Sequence, residues 1–213
     1  MGLDLHVEEF VRTADGWHFD NRIHKRPEGV ASAQLASNGW SCASCEGGPI
    51  LVLMQSACLP RLMEWNQFGP SDSLTRYFEA QVTINQSKAS EIVEAIGNAS
   101  RGEVIRAFEM IYATTARERY PGLSLKLMDQ LYDALKFALP EIATIFVRDP
   151  YAYRAGWPDI TAVRQGQARF VEIKTTDKLH EKQIKTISEL LLPAGLDVGV
   201  VQLRKSREQI AGR

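Results

Sequence analysis

The sequence predicts an α/β fold, a mixed sheet flanked by helices, preceded by an N-terminal region of undefined fold. Three observations carry this. Between residues 87 and 140 apolar residues recur at helical spacing behind recognisable N-caps, after Pro140 the period becomes that of strands, and the final strands bracket a helix. Residues 1–86 are broken up by Arg26-Pro27, Asn38-Gly39, Gly47-Gly48-Pro49 and Phe68-Gly69-Pro70. Short strands and hairpins joined by loops are expected there rather than long helices. The apolar run Ile50-Leu51-Val52-Leu53-Met54 reads as the best strand of that region.

From residue 87 the texture changes. A short helix over 87–96 stops at Gly97, and Ser100 with Glu103 three residues on forms a capping box for the next. There Val104, Ile105, Phe108, Ile111 and Tyr112 define one apolar face, and Pro121-Gly122 ends it. Ser124 caps a third helix, striped by Leu127, Met128, Leu131 and Leu135. Strands are then expected over 142–147, 159–163 and 168–175, with Gln165-Gly166 turning between the last two. A helix over 179–192 and a strand over 197–203 complete a βαβ unit, whose strands run parallel with a right-handed crossover.

The chain has 213 residues, 45% hydrophobic and 24% charged, which excludes disorder, a collagen-like fibre and a membrane-spanning protein. No apolar run approaches the roughly 18 residues of a membrane span. The start, MGLDLHVEEF, lacks a basic-then-apolar leader, and His6 stands where a myristoylation signal has Ser or Thr, so a cytoplasmic location is expected. Three cysteines fit a reducing compartment better than a disulfide framework. Cys42-x-x-Cys45 with Cys58 could hold zinc only with a fourth ligand from His18 or His24; inert thiols are the simpler reading. Net charge is −1 but uneven: from Arg148 onward 12 Lys and Arg face 8 Asp and Glu. That basic C-terminal third permits a polyanionic partner without identifying one.

The informative string is Gly156-Trp157-Pro158-Asp159-Ile160, then Phe170-Val171-Glu172-Ile173-Lys174. With a turn centred on Gln165-Gly166, facing positions sum to 331, so Asp159 falls opposite Glu172. Directly opposed residues have Cβ atoms ~4.5–5.5 Å apart on one face. Alternation returns Lys174 to that face and sends Ile160, Val171 and Ile173 to the other. Two converging carboxylates repel unless a proton or a cation intervenes. Mg²⁺ uses such sparse oxygen ligands at phosphoryl-transfer sites, and a nearby lysine can orient or deprotonate water. The arrangement describes metal-dependent phosphodiester hydrolysis.

Pro158-Asp159, a gap, then Glu172-Ile173-Lys174 resembles the PD-(D/E)XK nuclease superfamily. With Gly156, Phe170-Val171, Asp177-Lys178-Leu179 and Gln183 it is similar to the VRR-NUC branch, across roughly 146–203. The resemblance implies a restriction-endonuclease-like core, Mg²⁺ or Mn²⁺ as cofactor, DNA as substrate and a 5′-phosphate product. It implies Asp159 and Glu172 as metal ligands with the Ile173 carbonyl as a third, Lys174 as catalytic lysine, and Gln183 as the helix residue supporting the site. Thr175-Thr176 replaces the Gly-Pro pair common after that lysine. The branch also expects an acid on an upstream helix: Glu109 is the first choice, then Glu118 and Asp129, with Glu79 if an insertion intervenes. Small nucleases of this fold often pair, which makes a homodimer an expectation.

Each piece alone is ordinary, since Glu-x-Lys is common on exposed strands and Pro-Asp in turns; order, register and the following helix give them meaning together. His180 reads as helix surface. Tyr153, Arg154 and Trp157 before the acid, and Lys178 and Lys182 after the lysine, are candidate nucleic-acid contacts, although the aromatics could equally pack the hairpin edge. The expected function is metal-dependent DNA cleavage, structure-specific, in repair, phage or defence. The rival is a nucleic-acid-binding or assembly module that keeps the fold without turnover. Residues 1–86 are expected to be a region of separate, undefined role, with 87–213 leading into the nuclease unit around 142–203.

Overall fold

A computed structural model describes residues 4–176 and 178–206. In chain order the elements are β1 (Asp4–Arg12), β2 (Trp17–Phe19), β3 (Arg22–His24), α1 (Pro27–Ser37), β4 (Ser41–Ala43) and α2 (Gly48–Trp65). There follow α3 (Pro70–Thr75), α4 (Phe78–Ile84), α5 (Ala89–Asn98), α6 (Arg101–Ile111), α7 (Arg117–Arg119), α8 (Leu125–Leu135) and α9 (Leu139–Phe146). The chain closes with β5 (Ile160–Arg164), β6 (Gln167–Lys174), α10 (Glu181–Lys185), extended by a wide turn over Thr186–Leu191, and β7 (Asp197–Lys205).

The seven strands form one mixed sheet in the order β3-β2-β1-β7-β6-β5-β4. β7 runs parallel to both β6 and β1; the other pairings are antiparallel. The βαβ unit expected at the C-terminal end is therefore present. The N-terminal 86 residues also enter this sheet, β1 beside β7 and β4 beside β5. One face of the sheet carries the larger core, built with α2, α5, α6, α8 and α9. The other packs Ile160, Ala162, Val171, Ile173 and Leu203 against Val30 and Ala31 of α1, with Phe10 and Trp17. None of the described helices is long and apolar enough to cross a membrane.

Two expected strands are helices. Ile50–Met54 lies within α2, where residues 48–59 are all buried. A helix buried all round shows no amphipathic stripe, so its apolar run looks like that of a buried strand. Pro49 sits in its first turn, where a missing N–H costs nothing. Residues 142–147 are mostly α9: Leu139, Ile142, Ala143 and Phe146 are its buried positions, at spacings of three and four. Its β-branched residues suggested a strand, but Pro140 in the first turn and packing against α5 favour the helix. The capping box at Ser100 and the cap at Ser124 form as expected.

Phe146 is fully buried and its ring stacks on Phe78 of α4 with centroids 5.4 Å apart. Phe146→Ala is expected to cost about 3–5 kcal/mol, read as a lowered urea midpoint with unchanged slope.

Candidate active site

The hairpin that carries the site is set by its turn. Gln165 and Gly166 both have left-handed backbones, φ 49° and 75°, the geometry of a two-residue turn whose twist matches the flanking strands. The register runs from Arg164 opposite Gln167 to Ile160 opposite Val171. These pairs all sum to 331, as the sequence requires. The ladder ends one residue before Asp159, whose Oδ2 instead accepts a 2.8 Å hydrogen bond from the backbone N–H of Ile173. The acid is thus tied to β6, on the face shared by Glu172 and Lys174.

Glu172 and Lys174 are buried, 1% and 8% exposed. Lys174 Nζ lies 3.1 Å from Glu172 Oε1 and donates to Gln183 Oε1 at 3.0 Å. Gln183 closes the set: its Nε2 donates to the same Glu172 oxygen, and its Oε1 also accepts from the backbone N–H of His180, 3.0 Å away. Glu172 Oε2 is shut from solvent with no hydrogen-bond partner among the described residues. Burial, and then the nearby Asp159 carboxylate, push the Glu172 carboxyl up to about 7, against the opposing pull of Lys174 and Gln183. Asp159 is also raised, mainly by burial, opposed by the Ile173 N–H and raised further by Glu28 and Glu46.

Gly156 seats the helix that delivers Gln183. Its φ is +87°, and a Cβ there would lie 2.2 Å from the Lys182 carbonyl oxygen and 2.8 Å from the Gln183 nitrogen. Backbone therefore meets backbone at the start of α10, and only glycine allows it.

Asp159, Trp157 and Glu46 line two adjoining cavities of about 560 and 590 Å³. The first adds Arg26, Glu28, Tyr77, Glu79, Arg119 and Arg154; the second adds His180, Lys182 and Gln183. Glu46 is the acid that sequence reasoning missed. It stands in a left-handed backbone, φ 48°, directly before α2, whose aligned peptide dipoles favour a negative charge there. The following Gly47 lies against the Trp157 ring, where a Cβ would come within 2.4 Å. The legible signal was Glu46-Gly47-Gly48-Pro49 as a helix start, hidden by the reading of residues 50–54 as a strand.

The other acid candidates fall elsewhere. Glu109 is exposed on α6 and lines neither cavity, which corrects its expected place as the upstream ligand. Glu118 is exposed too, and Asp129 pairs with Arg101, Oδ1 to Nε 2.8 Å. Among the described residues no three His, Cys, Asp or Glu side chains are close enough as placed to hold a metal ion. The cysteines are dispersed: Cys58 is buried in α2, Cys42 packs with α1 and Cys45 against the larger core. Asp177 of the motif lies outside the described residues.

Two expected nucleic-acid contacts are core residues. Trp157, 2% exposed, donates its indole N–H to the Tyr153 carbonyl at 2.6 Å; Tyr153, 7% exposed, donates its hydroxyl to Glu189 Oε2 at 3.2 Å. Their ring faces are covered, so neither offers a platform for a base. Arg154, Lys178 and Lys182 are exposed, and Arg154 and Lys182 line the cavities.

Two acids and a lysine lie on one face of a hairpin, with a crossover helix behind them, in a mixed α/β fold. Crystal structures of paFAN1 share it. One, bound to 5′ flap DNA with a 2-nucleotide flap and a gap, has a TM-score of 0.69 and 18% identity and aligns with 97% of this chain. Another, with a 1-nucleotide flap, gives 0.68 and 17% over the same 97%. FAN1 is a VRR-NUC nuclease of the PD-(D/E)XK superfamily, so the fold observed is the one the motif implied. This chain spans 38% of the length of paFAN1. No family model matches the sequence, and no curated protein matches it.

Gly156→Ala is expected to cost at least ~2 kcal/mol from strain and backbone overlap. Gly166→Ala, at φ +75° with no atom within 4 Å of the added carbon, should cost about 1 kcal/mol. Urea denaturation of the two variants separates docking of α10 from turn strain.

Proposed function

We propose that this chain is a divalent-metal-dependent deoxyribonuclease that cuts phosphodiester bonds in branched or flapped DNA. The observation that carries the proposal is the buried Glu172-Lys174 pair, bridged by half-buried Gln183, beside Asp159. A carboxylate oxygen shut in without a partner costs several kcal/mol, and a cation is what satisfies it. Asp159, Glu172 and the Ile173 carbonyl supply hard oxygen donors suited to Mg²⁺ or Mn²⁺. After Glu28, whose charge bears more strongly on Asp159, the further acid acting on it is Glu46. It is exposed and makes no hydrogen bond or ion pair among the described residues, so its side chain can turn inward. A bound ion would polarise the phosphodiester and acidify a coordinated water.

In this reading each protein group has a distinct task. Glu172 anchors Lys174, whose ammonium aligns the attacking water and offsets charge developing on the phosphate. Gln183 holds both at once, so the orientation of Lys174 depends on α10. Arg26 and Arg154 on one side, and Lys182 on the other, receive the flanking phosphates. Residues 1–86 act as part of the nuclease unit, because Glu28 and Glu46, whose charges bear on Asp159, come from them. The structural neighbours, bound to flap DNA, support DNA as the partner.

A second reading, a binding module without turnover, is favoured by the separation of the acids as placed. A cleavage assay on single-stranded, duplex and flap DNA with Mg²⁺, Mn²⁺ or EDTA decides between them. Metal-dependent cutting is expected, with Lys174→Ala or Asp159→Ala lowering the rate by at least ~100-fold while DNA affinity in EDTA stays within a few-fold. Binding by the wild type without cutting in either metal overturns the nuclease reading.

A further inference from the structure

The cavity lined by Arg26, Glu79 and Arg119 has a second end whose chemistry the hydrolysis leaves unused. Glu28 and Glu46 bear electrostatically on Asp159; Glu79 bears instead on Tyr120. Glu79 is 9% exposed, Oε2 is closed off from solvent, and its carboxylate makes no hydrogen bond or ion pair among the described residues. Arginines 26 and 119 line the same cavity yet neither pairs with it. In the same cavity the Arg119 guanidinium lies 3.8 Å from the centre of the Tyr77 ring, and its Nη2 donates to the Thr75 carbonyl at 2.9 Å. Tyr77 covers one face of a guanidinium whose plane is held by the backbone.

A carboxylate that lacks a donor pair, next to a fixed guanidinium plane, matches a heterocycle with adjacent N–H groups. Arginine planes are known stacking surfaces for unpaired bases. Among the four DNA bases only guanine offers two neighbouring donors on its Watson-Crick edge, N1–H and the N2 amine. In adenine and cytosine the amine is flanked by a ring acceptor, and in thymine a single N–H lies between two carbonyls; a carboxylate repels those acceptors. About 560 Å³ accommodates a nucleotide.

We propose that this end of the cavity is a nucleobase pocket for an unpaired guanine flanking the cleaved phosphate, with the base stacked on Arg119 and its N1–H and N2 amine donating to Glu79. Its position beside the cleaved bond rests on the nuclease reading; base recognition is measurable without cleavage. The wet, charged pocket would then confer a sequence preference on an otherwise backbone-directed enzyme.

The test is fluorescence anisotropy of the full chain in EDTA with a labelled 5′ flap DNA. The unpaired nucleotides and those at the junction are set singly to guanine, inosine or adenine. At one position the wild type should bind guanine about 10-fold more tightly than inosine, which lacks only the N2 amine and so one hydrogen bond to a charged group, and more tightly still than adenine, which lacks both. Glu79→Gln should erase that difference while binding the adenine DNA within about three-fold of wild type. Arg119→Lys, which keeps the charge and removes the plane, should weaken guanine binding and reduce the preference, and stands in if the first variant does not fold. Equal affinities at every position, a preference that survives in either variant, or a uniform gain for all bases in Glu79→Gln overturns the proposal. Cleavage with Mn²⁺ is scored separately: base preference without cutting retains the pocket and removes the nuclease reading.

Discussion

A carboxylate and an ammonium lie side by side on a central strand, almost sealed from water, and the surrounding fold keeps them in register. Glu172 and Lys174 would each pay a large desolvation cost alone. Their mutual contact offsets part of it, and Gln183 offsets more by bonding to both. One oxygen of Glu172 is still unsatisfied. An interior arranged this way leaves a buried polar group short of a partner among the described residues, and that shortfall is carried by the packing of the sheet around it.

Three separate packing events are needed to hold this arrangement. The hairpin turn brings Asp159 to the Glu172 side, and the Ile173 N–H pins it there. The close approach of Gly156 to the first turn of α10 sets the height of Gln183. The flat Gly47 surface lets Trp157 lie across the start of α2, which brings Glu46 to the cavity that Asp159 lines. Each event relies on a residue without a side chain or with a left-handed backbone. The site is therefore intolerant of small steric additions at positions that carry no chemistry.

Much of this was legible. The turn at Gln165-Gly166 dictated the register, and the register dictated that Asp159, Glu172 and Lys174 share a face while Val171 and Ile173 enter the opposite core. The caps at Ser100 and Ser124 were equally plain, because a capping side chain reaches only three residues. Gln183 fell where the motif implied. The misreadings have a common cause. Residues 50–54 and 142–147 are apolar enough for either a strand or a helix, and only the partners they pack against decide. For Trp157 and Tyr153 the sequence left nucleic-acid contact and packing at the hairpin edge equally open, and α2 and the crossover helix settled it by covering them.

The sequence by itself determined what acts over a few residues: the turn, the alternation on two strands, the helix caps, and so the gathering of Asp159, Glu172 and Lys174 on one face. Tertiary structure decided what depends on distant segments meeting. It joined the N-terminal strands to the same sheet as the hairpin, brought Glu46 and Glu79 to the walls of a cavity formed from both halves, and placed Glu109 away from it. Alternation and hydrogen-bond reach are local geometry, written into consecutive residues. Which acid faces a site more than a hundred residues away depends on how whole helices pack, and no single stretch of sequence encodes that.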